Sequence, residues 1–389
     1  MRPSLTRLLV FALVITPVLR AQFSSGSTGS DGALNLTTPG TVVFDPVAMG
    51  LNPAGDNIFN FTTINVGANV TLVMTADVLR NRSVIWLATG NVTIAGVLAL
   101  EGASGTPYSG NNPGAMRSPA MPGPGGFPGG VGGYLTSPAT NGGGYGGGVT
   151  GSGAGGAGSY LYTSNQLVPL VGGSGGAGGQ IGTGTAGGNG GAGGGAIRIV
   201  SSTSISVTGT INANGGAAGP SLTNSYVGGQ GSGGAIHLIA PTVTNSGGIY
   251  AGNGSPAGVV KISANSSSNT GSIFGSVVVT GPLYNPPLPT GVSQVNVVSV
   301  NGIAAPSDVM ASYLVPDFTV STTSAVSINI SGQYIPVGTV VTLYLTSEQG
   351  NDSTVTCSAL AGTLASSTAT CPGATFPQGV TITDIRAVW

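Results

Sequence analysis

The stretches GAIRIVSSTSISVTGTINANG (residues 195–215) and GAIHLIAPTVTNSGGIYAGNG (residues 234–254) match column by column after a one-residue deletion. Each contains short runs of alternating apolar and polar residues that Gly, Ser, Thr or Asn interrupt, which is the periodicity of β-strands. A third copy has Val260 in the column of Ile236, a fourth covers residues 84–100, and a fainter fifth precedes it. The chain therefore contains an internal β repeat.

The repeat predicts an all-β protein whose residues 22–280 form a parallel β-helix, or solenoid. Each copy carries three short strands, and one copy alone buries too few apolar side chains to be stable, so copies must stack. The surplus residues between copies fall at one point of the repeat, at 102–194 and at 216–233. Loops that leave a solenoid at one corner would produce this fixed insertion point.

The long insertion at 102–194 is extremely rich in glycine, in a chain that contains 71 glycines and 25 prolines among 389 residues. Ordering so much glycine carries a high cost in backbone entropy unless the chains pack closely. Two interpretations follow from this composition. The insertion is a flexible excursion, or it forms extended helices of three residues per turn that lie against the solenoid.

A different composition begins after the proline-rich segment 281–291, which we expect to be a stiff, extended linker. Short strands at regular spacing over residues 292–389 predict a small β-sandwich of immunoglobulin-like kind. Cys357 and Cys371 are the two cysteines of the chain, and we expect a disulfide between neighbouring strands. Trp389, the last residue, is expected to pack in the core.

The first residues have the pattern of a secretory signal. Residues 1–21 combine Arg2 and Arg7 with an apolar run and end on a small residue, Ala21. This pattern predicts cleavage before Gln22 and a secreted, extracellular or cell-surface protein. The apolar run is too short to span a bilayer, and no later stretch is long enough, so we expect no membrane span after signal removal.

Only 5% of the residues are charged, with 9 Lys and Arg against 10 Asp and Glu. Nucleic-acid binding requires clustered basic residues, so this composition excludes that class of partner. No Asp or Glu occurs between Glu101 and Asp308. Most of the repeat therefore lacks the carboxylate pair of a glycosidase and the carboxylate ligands of calcium, and we expect no catalytic residue, metal or cofactor there.

Four carboxylates lie near the first strands, and they leave an enzymatic alternative open. Asp31, Asp45, Asp56 and Asp77 could meet in space as a polysaccharide-cleaving site, or they could cap turns, which is the commoner role of Asp.

Arg198, His237 and Lys261 occupy one column of the repeat, between inward-pointing aliphatic residues. We expect them to point outward on successive strands, either as solvated residues that disfavour misstacking or as a basic strip that contacts an acidic glycan. Tyr134 and Tyr145, in the long insertion, are further candidate glycan contacts because aromatic rings stack on sugars. The same rings could instead hold the glycine-rich loops against the solenoid.

Four segments carry a resemblance to known sequences: GSTGSDGALNLTTPG, VIWLATGNVTIAGVLAL, PGPGGFPGG and GGAIRIVSSTSISVTGTINANGG. The chain resembles uncharacterised glycine-rich, β-helix-like secreted proteins of soil bacteria over most of residues 24–280. The resemblance implies a secreted or surface-associated β-rich protein. It implies no activity, cofactor or site residue.

These observations predict a secreted, non-enzymatic structural or adhesive protein of the cell exterior. Its expected partners are an extracellular polysaccharide or a cell surface, together with further copies of itself through open strand edges. The alternative is a polysaccharide-binding or polysaccharide-degrading β-helix protein. An ice-binding threonine face is the third hypothesis, which the irregular spacing of outward Thr and Ser in the aligned copies disfavours.

Overall fold

The computed structural model describes residues 23–389 except 53–55, 108–117, 135–137, 145, 162–166, 181–186, 222–223, 253–255, 276, 287, 289–292, 307–316, 318, 348–352 and 379–382. Within these residues the only helical element is a 3-10 turn at Asn224–Tyr226. The described chain is thus all-β, as the alternating pattern predicts. The predicted signal segment 1–21 lies outside the described residues.

The strands fall into three groups along the chain. The first group is β1 (Gly32–Leu36), β2 (Gly40–Val43), β3 (Ile58–Val66), β4 (Val70–Val73), β5 (Val84–Ala88), β6 (Val92–Ile94) and β7 (Val97–Ala99). The second is β8 (Ala196–Ser201), β9 (Ser204–Val207), β10 (Thr210–Asn212), β11 (Ala235–Asn245), β12 (Gly248–Tyr250), β13 (Val259–Asn269), β14 (Ser272–Phe274) and β15 (Val277–Gly281). The third is β16 (Gln294–Val300), β17 (Ile303–Ala304), β18 (Val326–Gln333), β19 (Val340–Ser347), β20 (Ser353–Ala359), β21 (Ala361–Thr363), β22 (Ser366–Ala374) and β23 (Thr383–Val388).

The largest sheet is parallel and has nine strands, in the order β15-β13-β11-β8-β5-β3-β6-β9, with β1 beside β3. Strand β9 also pairs with β11. Six strands, β11, β8, β5, β3, β6 and β9, therefore close into a parallel barrel.

This closure corrects the predicted fold class, a parallel β-helix followed by an immunoglobulin-like β-sandwich, which is wrong in its architecture. The repeat pattern implies three separate strands per copy. Instead, β11 runs unbroken through two of them, pairing with β8 along its first half and with β9 along its second half. Strand β3 pairs with β5 and β6 in the same way. A solenoid needs a corner between the first and the second strand of each copy, and these long strands have none. The sheet instead closes on itself, whereas the other sheets are flat.

A second parallel sheet has the order β14-β12-β10-β7-β4-β2. Inward side chains of both parallel sheets share one apolar core, in which residues from one alignment column stand side by side: Ile236 pairs with Ile197 and with Val260. Trp86 lies at the centre of an aromatic cluster in this core. Its ring centroid is 5.4 Å from that of Phe44 and 5.9 Å from that of Phe61.

The glycine-rich region forms an ordered array of extended segments. Backbone N–H groups of Gly173, Gly176 and Gly179 donate to the carbonyl groups of Gly194, Gly191 and Gly188 at 2.7–2.9 Å. The same every-third-residue pattern joins both segments to residues 127–133. Three residues per turn, with hydrogen bonds to neighbouring chains only, is the geometry of the polyproline II helix. Of the two interpretations of the insertion, the structure therefore shows the extended helices over residues 127–133, 173–179 and 187–194.

The second insertion, 216–233, belongs to the same array. Gly188, Gly191 and Gly194 donate backbone hydrogen bonds to Tyr226, Gly229 and Ser232. The loops that leave the repeat at one point thus pack on each other, because their glycines allow the backbones to approach.

The carboxy-terminal strands form two antiparallel sheets, of order β17-β16-β18-β22-β21 and β20-β19-β23. Apolar side chains of both sheets share a second core. The predicted disulfide between Cys357 and Cys371 is confirmed. It links β20 of one sheet to β22 of the other, two strands that are neighbours through the packing of the sheets and not through backbone hydrogen bonds. Trp389 is 50% exposed, contrary to the expectation that it packs in the core.

Candidate functional site

Arg198, His237 and Lys261 lie side by side on the outer face of the nine-stranded sheet. Parallel pairing places His237 of β11 opposite Arg198 of β8 on one side and opposite Lys261 of β13 on the other. Neighbouring strands are about 4.8 Å apart. The three residues therefore form a continuous row, as the alignment predicts, which we call the basic row.

The basic row is buried, so the expectation that these residues are solvated is wrong. Arg198 is 2% exposed, His237 0% and Lys261 6%. Apolar residues of other segments cover this face of the sheet: Phe23, Leu167, Leu170, Leu283 and Leu288. A glycan at the protein surface cannot reach side chains buried to this degree. Sequence periodicity shows that a residue points away from the inner core, but not that a second layer covers it.

Only some of the side-chain nitrogens of Arg198 and His237 form hydrogen bonds with described residues. Arg198 donates from Nη2 to the carbonyl oxygen of Leu167 at 3.0 Å, and His237 Nε2 lies 3.1 Å from Ser263 Oγ. Among the described residues, Nε and Nη1 of Arg198 and Nδ1 of His237 have no hydrogen-bond partner. Buried polar atoms of this kind are uncommon in folded proteins.

Burial also determines the electrostatics of the row. Loss of hydration lowers the pKa of Arg198 to about 10, against an opposing effect of Tyr284. The pKa of His237 falls to about 2, first because the ring is buried and then because Arg198 and Lys261 are close. Burial and Arg198 also lower the pKa of Lys261. At neutral pH the ring of His237 is thus a neutral imidazole beside the Arg198 cation.

Tyr134 and Tyr145, the candidate glycan contacts, belong to the glycine-rich insertion, where other aromatic side chains contact neighbouring segments. Tyr134 is half-buried, and Tyr145 lies outside the described residues. In the same insertion, the hydroxyl of Tyr160 donates to the carbonyl of Val171 at 3.1 Å, and the Phe127 ring stands where a side chain on Gly144 would be. The contacts of Phe127 and Tyr160 agree with the interpretation that aromatic rings hold the glycine-rich segments in place.

The carboxylates of the first strands serve turns and backbone amides. Asp45 accepts hydrogen bonds from the amides of Val47 and Ala48, both at 3.0 Å, and Asp56 accepts one from Ile58 at 3.0 Å. Asp31 accepts from the amides of Asn52 and Asn60. These contacts match the capping of turns, the alternative to a polysaccharide-cleaving site for these carboxylates.

A regular polar column runs across neighbouring strands of the nine-stranded sheet, four of them strands of the barrel. Register pairing aligns six outward residues on six consecutive strands: Asn35, Asn65, Thr93, Ser206, Thr244 and Ser268. A shorter parallel column contains Ser204, Thr242 and Ser266. We call these nine residues the polar face; all are half-buried or exposed. The expectation that outward Thr and Ser form no regular ladder is wrong. Strand pairing aligns Thr93, Ser206, Thr244 and Ser268, and the two Asn residues extend the same column.

The polar face is pre-ordered at one end. Asn65 donates from Nδ2 to Oδ1 of Asn35 at 2.8 Å. Strands about 4.8 Å apart, with residues of one face about 6.6 Å apart along a strand, give the face a two-dimensional grid of hydroxyl and amide groups. Such groups both donate and accept hydrogen bonds.

No protein-family model matches the chain, and no curated protein or solved structure shows significant similarity to it. In the part of the chain that the structure describes, no three His, Cys, Asp or Glu residues are grouped as metal ligands. The same residues include no helix of the length and apolarity that a bilayer span requires.

Proposed function

We propose that this is a secreted, non-enzymatic adhesive protein of the cell exterior whose polar face binds a neutral extracellular polysaccharide. The observation that carries the proposal is the alignment of Asn35, Asn65, Thr93, Ser206, Thr244 and Ser268 across six paired strands. A regular, uncharged grid of donors and acceptors complements the repeated hydroxyl groups of packed sugar chains. Because the grid is built on hydrogen-bonded strands of one sheet, little conformational entropy is lost on binding.

The Cys357–Cys371 disulfide supports the extracellular part of the proposal, since disulfides persist in oxidising compartments. Mass spectrometry of the full chain expressed with an intact export pathway tests it. We expect a mature protein outside the cytoplasm that begins at Gln22. Intracellular protein that retains residues 1–21 would contradict secretion.

Asp31, Asp45 and Asp56 favour adhesion over the polysaccharide-degrading alternative, because their carboxylates accept hydrogen bonds from nearby backbone amides. The composition of the column favours a sugar surface over ice. Only Thr93 and Thr244 are threonines among its six members, so the face lacks a repeated methyl-hydroxyl pattern.

A pull-down of the secreted chain with insoluble cellulose and chitin tests the polar face. The variant Thr93→Arg/Thr244→Arg places two cations on the face without putting them on adjacent strands. We expect its affinity to fall about tenfold or more, because each guanidinium must lose water against a neutral surface. The matched control is Thr356→Arg/Thr368→Arg, at two exposed strand positions of the carboxy-terminal region.

Equal retention of both variants would contradict the polar face as the contact surface. Absence of wild-type binding to every neutral polysaccharide tested would contradict the proposed ligand class. Release of soluble sugar from the insoluble substrate would replace adhesion by the degrading alternative.

A further inference from the structure

The Arg198 guanidinium is a buried cation with unused hydrogen-bond donors. It is 2% exposed, and two of its three nitrogens have no hydrogen-bond partner among the described residues. His237, on the next strand, is fully buried and leaves Nδ1 without a partner in the same part of the chain. Both side chains rise from paired positions on one face of the sheet, so their unused polar atoms belong to one neighbourhood.

The segments that cover this face bring no carboxylate to balance the charge. The described parts of these segments are residues 23–30, 167–171, 281–286 and 288, and none of them is Asp or Glu. Tyr284, in the last of these segments, is a phenol and not a carboxylic acid, and its effect on the pKa of Arg198 does not offset the lowering caused by burial. A buried, unpaired charge is strongly unfavourable, and arginine keeps its proton under ordinary conditions.

We propose that the basic row holds a small inorganic anion, of the size of chloride or bromide, between the guanidinium of Arg198 and the ring of His237. Arg198 donates from Nε and Nη1. The neutral His237 ring donates from Nδ1 and accepts at Nε2 from the hydroxyl of Ser263. The anion thereby supplies the counter-charge and the missing acceptor, and it locks the covering segments over the sheet.

The surroundings favour a compact anion over a polyatomic ligand. Ile85 pairs beside Arg198, and Val200 and Ile239 follow in the next row of the same face. The third nitrogen of the guanidinium, Nη2, donates to the carbonyl oxygen of Leu167, which belongs to one of the segments that cover this face. This site is independent of the polar face, which lies on the second half of the strands, so either proposal can fail without the other.

Crystals of the full mature chain soaked in sodium bromide test the site directly. We expect an anomalous bromide peak within hydrogen-bond distance of Arg198 and of His237 Nδ1. Density for ordered water alone at this place, with bromide confined to the protein surface, would overturn the proposal. This measurement needs no variant.

Thermal unfolding in sodium chloride and in sodium gluconate, at equal ionic strength, gives the second test. Gluconate is too large for the site, so we expect the wild-type Tm to be about 2–4 °C higher in chloride. Arg198→Met keeps the aliphatic stem and should lose this difference. The control Arg80→Met, at an exposed arginine, should retain it.

An equal chloride effect in wild type and Arg198→Met would mean an adventitious ion only, and would overturn the proposal even if bromide is seen. If Arg198→Met does not fold, the bromide peak and the wild-type difference between the two salts decide the question together. Absence of either would then overturn it.

Discussion

The carbonyl oxygen of Gly173 lies 1.8 Å from the position that a Cβ atom would occupy on Gly193. The two segments are joined at this place by regular backbone hydrogen bonds, Gly173 to Gly194 and Gly176 to Gly191. Similar distances of 1.9 Å and 2.0 Å separate a Cβ on Gly187 and on Gly190 from backbone oxygens. The glycines of the array are therefore required by the approach of neighbouring backbones.

Gly193→Ala should destabilise the array. The new methyl group meets backbone oxygen, which cannot move aside as a flexible side chain can, and overpacking of this kind costs about 1–3 kcal/mol or more. Urea unfolding monitored by hydrogen exchange of the glycine amides measures the loss. Gly151→Ala is the matched control, since nothing lies within 4 Å of its Cβ position, and it should change stability by less than about 0.5 kcal/mol. Equal effects of the two substitutions would contradict close packing as the reason for the glycines.

Removal of the disulfide should weaken the carboxy-terminal region. The bond closes a loop between residues 14 apart and joins two sheets, and a loop of this size contributes about 3 kcal/mol. The variant Cys357→Ser/Cys371→Ser should therefore unfold at lower urea concentration. Reductant should lower the stability of wild type to a similar degree and leave the variant unchanged. Unaltered stability of the variant would show that the shared core suffices.

Acidification should destabilise the fold through His237. Burial, with Arg198 and Lys261 nearby, lowers the pKa of this group from 6.5 to about 2. The unfolded chain therefore binds a proton below about pH 6.5 that the folded chain does not bind. Stability is complete above that pH and is lost as pH falls toward 2, by up to about 1.4 kcal/mol per unit.

The measurement is direct because the chain has one histidine. In halide-free buffer, the imidazole NMR signals of the folded protein should stay constant from pH 8 to pH 4. His237→Gln should remove the corresponding part of the pH dependence of stability. Titration of the signal near pH 6.5 would contradict a buried, neutral ring.

Trp86 should dominate the stability of the barrel core. It is fully buried against Phe44 and Phe61, and truncation of such a side chain to Ala costs about 3–5 kcal/mol. Trp86→Phe should cost less because it leaves a smaller cavity. Trp389→Phe, at the exposed second tryptophan, should be close to neutral, and it isolates the fluorescence of Trp86 for the denaturation curves. A small effect of Trp86→Ala would contradict its central place in the core.

The sequence by itself determined which residues alternate and which columns align. Ile197, Ile236 and Val260 are paired in the core as the alignment places them, and Arg198, His237 and Lys261 are paired outside it. These features follow from local periodicity, since alternate residues of a strand point to opposite faces. The disulfide could also be predicted, because the chain has two cysteines.

Only the tertiary structure decided what lies on top of each face and where the strands end. Strand β11 continues through a position where the repeat suggests a corner, and this continuity closes the barrel. Leu167 and Leu283, distant in sequence, cover the basic row and convert an expected surface into a buried, charged interior. The glycine-rich composition allowed both a flexible and an ordered insertion, and the choice depended on partner segments. Such contacts join residues that no local pattern relates, because burial is a property of the assembled layers.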